Sequence, residues 1–378
     1  MKWWPWQKVV GLILAIVVFI GFPYAMSRAI IVAVAFVCIY CRKSPPEVFA
    51  SEAHVFPYAL GGTTVSRDTV CGQCNGQVNR EVEDRAVTDF RWFQSMFGIA
   101  GRRGGVPGVR ATATVDGQES PVVLGPDGLP VGPLVRESTE EGRRSVVVYG
   151  RHEIIPSIAD KIAAEHPGIN WQTSNFDVPF EVVTELPSPD APHTRRLAAK
   201  IAFERFAQLR TSTIARDSEF DDIREFILTG VEAYPICGLT ADPRLLNRAF
   251  DLPVPNHAVL LVAHPRDRVL GAFVILFGVF FFWVLLSRRY NALGPMDEIL
   301  TEYPQAREAE RPLLRAQEGS LRVPWNEFVT PWANQRDKVL DEVITAASTR
   351  LQAAIKNAAG PDSPDQSQPK CEQQQPRR

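Results

Sequence analysis

The chain is poor in cysteine: six stand among 378 residues, and two of those, Cys237 and Cys371, lie far from the rest. That spacing gives no disulfide framework, so the fold is not one stapled by disulfide bridges. An excess of either charge is also missing, with 41 Lys and Arg against 43 Asp and Glu and a net charge of −2. A protein that coats nucleic acid along its whole surface is therefore excluded, while a small local site is not. There is no internal repeat and no glycine-rich loop of the kind that cradles phosphates, which removes repeat architectures and P-loop chemistry. At 45% hydrophobic content, the chain can build one large core or two modest ones.

The remaining four cysteines carry the clearest signal. Cys38-Ile39-Tyr40-Cys41 and Cys71-Gly72-Gln73-Cys74 are two C-x-x-C knuckles with 29 residues between them. Each knuckle lets two thiolates converge on one ion, and two knuckles complete a tetrahedral sulfur site suited to structural zinc. Thiolate ligands fit a reducing compartment, which predicts a cytoplasmic location. The intervening stretch is long enough for a β-hairpin pinned at its ends by the metal. It contains Ser51-Glu52-Ala53-His54-Val55-Phe56-Pro57 and Leu60-Gly61-Gly62, and Asn75 follows the last Cys directly. Gly61 and Gly62 are expected at positive φ in the hairpin loop.

This order resembles the HNH endonucleases of the ββα-metal (His-Me finger) superfamily, in the branch patterned C-x-x-C, E-H-x-x-P, L-G-G and V-C-x-x-C-N. The matching stretches here are CIYC, SEAHVFP, ALGG and TVCGQCN, spread over about residues 36 to 105. The resemblance implies that His54 is a general base and that Asn75 holds or positions a catalytic divalent metal. Cys38, Cys41, Cys71 and Cys74 would be structural. Glu52 stands two residues before His54 instead of one, as a further candidate ligand. No Asn lies between His54 and Cys71, so Asp68 or Ser66 would orient the imidazole.

Chemistry supports the same assignment. Phosphodiester hydrolysis needs an activated water and a cation on the scissile phosphate, and imidazole titrates near neutrality. An amide oxygen suits Mg²⁺ or Mn²⁺, whereas thiolates do not, so a soft zinc site and a hard catalytic site can coexist. Each residue also has a structural reading. Asn75 could be a helix N-cap, His54 a hydrogen-bonding strand residue, and Glu52 a solvated charge. A non-catalytic treble-clef finger that binds nucleic acid or protein is the competing class. A membrane-tethered protein that uses zinc only as a folding staple is the third.

The predicted fold class is α+β, with a zinc-stabilised ββα-metal (treble-clef-like) finger followed by a mixed α/β C-terminal region. Residues 1–28 form an apolar N-terminal segment, and the uninterrupted apolar run at 9–26 is long enough to span a bilayer with tryptophans at one end. A membrane anchor and an upstream mis-start ahead of Met26 are the two readings. Residues 29–105 hold the HNH domain, with an amphipathic helix from Asn75 to Phe97 marked by Val78, Val82, Ala86, Phe90, Phe93 and Phe97. Six arginines between Arg80 and Arg110 are diluted by acids and give a weak basic patch.

Residues 106–290 read as mixed α/β, with strands at 110–115, 145–149, 180–184 and 257–263 and helices at 195–209 and 219–228. The charge-free run Val269–Ser287 fits a transmembrane helix by length, but its Val, Phe, Ile and Trp content favours a buried β-hairpin. Residues 291–359 are charged and partly helical, with a helix at 335–355, and 360–378 should be disordered. The implied partner is nucleic acid, DNA in preference to RNA.

Overall fold

The computed structural model describes residues 36–101, 104–115, 117–126, 129–140, 143–150, 153, 155–165, 181–183, 188–242, 255–264, 267–290, 297–302 and 325–359. The apolar run at 9–26 and the tail from 360 lie outside them, so the readings placed there do too.

The finger opens with an antiparallel pair, β1 (Ala50–His54) and β2 (Val65–Cys71), joined through a 3₁₀ turn (Tyr58–Leu60). Helix α1 (Gly72–Val78) follows at once and runs through a π turn (Asn79–Glu83) into α2 (Asp84–Asp89) and α3 (Arg91–Met96). The predicted apolar stripe is the buried one: Val78, Val82, Ala86, Phe90 and Phe93 all face the core. Four-residue steps drift by about 40° each on a regular α-helix, and the wider π turn takes up part of that drift.

The next stretch is antiparallel sheet: β3 (Val109–Val115), β4 (Gln118–Leu124), β5 (Leu134–Glu140), β6 (Arg143–Tyr149), then α4 (Ile155–Glu165) and β7 (Glu181–Val183). They assemble as β4-β3-β7 and as the separate pair β5-β6. Helices α5 (Pro192–Ile214) and α6 (Asp221–Thr229) follow, then β8 (Cys237–Leu239), β9 (His257–His264), β10 (Val269–Leu276), β11 (Phe280–Ser287) and β12 (Asp297–Glu302). These strands form one antiparallel sheet in the order β12-β9-β10-β11-β8. Helices α7 (Asn326–Asn334) and α8 (Arg336–Ala359) close the described chain.

The run Val269–Ser287 is therefore the hairpin β10–β11, with Leu276 paired to Phe280 across its turn. Every residue of β11 is buried, so both faces of the strand are covered and a continuous apolar run replaces alternation. Gly271 lies within this run. Its missing side chain leaves the space in which the Trp325 ring lies, 2.2 Å from where a Cβ would stand. No helix among the described residues is long and apolar enough to cross a membrane.

Helix α5 links the finger to the five-stranded sheet. Every residue from Arg196 to Glu204 is buried, because the helix packs against β2 and the π turn as well as against β8, β9, β10 and β11. A helix enclosed on all sides must pair any charge it carries. The hydrophobic core accordingly runs without a break from the finger through α5 into the sheet.

Candidate metal centre and hairpin site

The four knuckle sulfurs converge, with all of them within 4.8 Å of one another. Cys41 Sγ and Cys71 Sγ are 3.8 Å apart, and a tetrahedron with Zn–S bonds of about 2.3 Å has edges of about 3.8 Å. None of the four is in a disulfide. In the first knuckle, Arg42 N–H returns to the Cys38 carbonyl at 3.0 Å, and Arg42 takes a left-handed φ of 59°. Ile39 N–H reaches the Thr69 carbonyl of β2 at 2.9 Å, which seats this knuckle beside the second.

The second knuckle is a helix start, with Cys71 as the N-cap. Its Sγ accepts from Cys74 N–H at 3.4 Å, while Cys38 Sγ accepts from Cys71 N–H at 3.4 Å. These amide donors favour charged sulfur. A hydrogen bond from Cys74 draws the Cys38 thiol down to about 5, whereas burial raises Cys41 to about 11 and the bond to Cys38 raises Cys74. Four thiolates gathered this closely repel one another and require a cation to share. The donor set therefore fits zinc.

The hairpin above the knuckles carries the other candidates. His54, the last residue of β1, is half-buried, and its ring meets Tyr58 edge-on at 5.5 Å between centroids. Asn75 lies inside α1 and is not its N-cap, since Cys71 holds that position. The Asn75 amide nitrogen instead donates to Ser51 Oγ at 3.1 Å and to the Glu52 carbonyl at 2.8 Å, tying α1 to β1. Neither bond uses the amide oxygen.

Glu52 and Asp68 are exposed, and both sit at a bulge. Between Ser51 and Ala53 the register slips, because Ser51 pairs with Val70 and Ala53 with Ser66. Arg67, Asp68 and Thr69 thus bulge opposite Glu52. The Glu52 carboxylate takes a 2.8 Å ion pair from Arg67, and Asp68 accepts from Ser66 Oγ at 3.5 Å. The hydroxyl of Ser66 also meets that of Thr69 at 2.6 Å.

Gly61 has the expected positive φ of 91°. Gly62 is needed for a different reason: a Cβ there would stand 2.0 Å from the Phe56 carbonyl oxygen, so the chain crosses itself too closely for any side chain.

Past His54 and Val65 the ladder ends, and the loop's backbone groups need other partners. Turn bonds such as Val55 N–H to the Thr64 carbonyl at 2.9 Å serve some of them, and side chains serve others. Gln94 Nε2 donates to the Ala59 carbonyl at 2.6 Å, and buried Glu302 of β12 accepts from Thr63 N–H at 2.7 Å and Thr64 N–H at 2.9 Å. His257 Nε2–H donates to the Leu60 carbonyl at 2.9 Å, and its Nδ1 accepts from Phe277 N–H at 3.2 Å. Those two bonds fix one neutral tautomer, and burial holds the His257 pKa down to about 4. The ring stacks on Phe56 at 5.3 Å. Phe277, at the tip of β10–β11, takes an unfavourable φ of 56°. Its ring in return stacks against Phe93 and Phe97 at 5.4 and 6.0 Å, contacts worth about 0.5–1.5 kcal/mol each.

Lys200, fully buried on α5, donates to the His54 carbonyl and to the Val55 carbonyl, the latter at 3.1 Å. It also pairs with Glu83 at 2.9 Å and Glu204 at 3.0 Å. Burial favours a neutral amine, but Glu204 and Glu83 outweigh it and hold the Lys200 pKa above its ordinary value. Burial pushes Glu204 up to about 7.

Sequence reasoning missed Lys200, Glu302 and His257. A signal existed only for the first, since Lys200 and Glu204 stand one turn apart in the mostly apolar LAAKIAFERF run.

Residues 38–91 match the family model for HNH endonucleases. That segment holds the four cysteines, His54 and Asn75, and the resemblance seen in the sequence rests on the same residues. No curated protein and no solved structure matches the chain.

Proposed function

We propose that this protein is an HNH-type endonuclease that hydrolyses phosphodiester bonds of nucleic acid with a divalent metal and His54 as general base. One observation carries the reading. Within the segment that matches the family, the hairpin strand ending in His54 is bonded directly to the helix carrying Asn75, beside a sulfur cluster suited to zinc. A divalent cation bound near Asn75 Oδ1 would supply charge to the scissile phosphate. His54 would take the proton of the attacking water, and Asn75 would hold its amide oxygen toward the cation while its nitrogen stays on β1. Cys38, Cys41, Cys71 and Cys74 would hold zinc and keep the hairpin and α1 together. Glu52 and Asp68 are engaged by Arg67 and Ser66, so neither is assigned a proton-transfer role.

The test is cleavage of plasmid, linear DNA and RNA by the purified protein with Mg²⁺, Mn²⁺ or EDTA. Metal-dependent cutting, lost by about two to four orders of magnitude in His54→Ala at unchanged zinc content, is the expected result. Asn75→Ala should weaken cutting in a way that added Mn²⁺ partly restores. Nucleic-acid binding without cutting, unaffected by His54→Ala, would establish the treble-clef binding module instead.

A further inference from the structure

We propose that Lys200 is a positioning residue for His54: its ammonium grips the two consecutive carbonyls at the end of β1 and thereby sets where the imidazole stands. The inference rests on reading His54 as the base. Lys200 lies on α5, more than a hundred residues beyond the family-matched segment.

The geometry is specific. Successive carbonyls of an extended strand point to opposite sides, so one donor can reach both only where the strand breaks. Lys200 Nζ reaches the carbonyls of His54 and Val55 together. It therefore holds the point at which β1 ends and the chain bends at Val55 and Phe56, and His54 is the last strand residue before that bend. The ammonium is aimed from two sides. Glu83 arrives from the π turn of the finger helix at 2.9 Å and Glu204 from α5 at 3.0 Å. The Tyr40 hydroxyl, from the first knuckle, donates to the other Glu204 oxygen at 3.0 Å. Two carbonyls and two carboxylates thus surround its three N–H donors.

Stability alone does not account for the cluster. A buried ion pair seldom outperforms apolar side chains of similar volume, because desolvation cancels the Coulomb gain. What an apolar residue cannot do is hold two backbone carbonyls at a fixed point. The π turn belongs to the same device, since it places Glu83 against Lys200.

The experiment compares the full chain with its His54→Ala, Lys200→Met, Lys200→Arg and Glu83→Gln variants. For each, zinc content, kcat and KM on plasmid DNA with Mn²⁺, and hydrogen exchange over residues 50–56 are measured. Lys200→Met should lower kcat about ten- to a hundredfold at unchanged KM and zinc, the scale of a misplacement near 1 Å. Exchange at 53–56 should quicken while β10 and β11 stay protected, and Lys200→Arg should recover most of both. Glu83→Gln should give a severalfold loss of kcat with the same split, and it carries the test should Lys200→Met not fold. Parent kcat and parent exchange in Lys200→Met, or in Glu83→Gln where that variant carries the test, would overturn the proposal while His54→Ala remains inactive. A parent no faster than His54→Ala would instead remove the His54 reading. The exchange rate at 53–56 would then decide alone whether Lys200 holds the strand end.

Discussion

The two ends of one short hairpin are held by different chemistry. At the knuckle end, four sulfurs gather within 4.8 Å, and the elements they join are neighbours in sequence. At the loop end, the backbone of residues 54–64 is held by Lys200, His257 and Glu302, which arrive from α5, β9 and β12. The first end follows a local spacing rule that any reader of the chain can apply. The second depends on where residues far away in sequence happen to land. A finger of this kind can fold around its metal, but the strand end bearing His54 takes its final geometry from the rest of the protein.

The largest expected effect comes from breaking the knuckle end. Cys74→Ser should abolish stoichiometric zinc, since structural zinc supplies about 10 kcal/mol or more of apparent folding free energy in small sites. Metal analysis of the purified variant, with circular dichroism to follow the fold, checks this. Breaking the loop end should cost less. Glu302→Ala strands the Thr63 and Thr64 amides and should lower stability by about 2–3 kcal/mol, read by denaturant unfolding, with zinc retained.

How much of this was legible follows the same division. The convergence of the four cysteines, the amphipathic stripe from Val78 to Phe93 and the β-hairpin at 269–287 were all readable, because each is a local pattern of ligand type, period or composition. The alternative reading of Asn75 as a helix cap fails, because Cys71, a poor cap by propensity, takes that position when its sulfur accepts from Cys74 N–H. Gly62 was given the wrong reason, since its close approach to Phe56 depends on the path of the whole loop. The start of α5 was read three residues late, at Arg195, because the helix begins at Pro192. Its role left only one trace in the sequence, the Lys200 and Glu204 pair one turn apart. Its charges are those of a surface helix, and only the packing on both sides shows that Lys200 is enclosed. Glu302 and His257 stand at strand ends with no local mark of their partners.

The loop end also has a pH signature. The folded pKa of His257, about 4, lies below its unfolded value. Its contribution is therefore complete above about pH 6.5 and is lost as pH falls toward 4. The stability gap between the parent and His257→Gln should be widest near pH 7 and shrink by up to about 3 kcal/mol by pH 4, followed by urea melts across that range. A gap that does not change with pH would mean that His257 is not the neutral hydrogen-bonded group described above. The smallest effect belongs to the exposed Glu52–Arg67 pair. Arg67→Ala should change stability by less than about 1 kcal/mol, and Glu52→Gln should leave cleavage within a few-fold of the parent.

Hydrogen exchange on the full chain, with and without a zinc chelator, tests most directly whether the two ends are held separately. Chelation is expected to speed exchange at 38–43 and 71–75 while residues 55–64, anchored by Lys200, His257 and Glu302, keep their protection, Thr63 and Thr64 N–H through Glu302 itself. Loss of protection at both ends together would contradict this, and would make the hairpin loop a dependent of the metal.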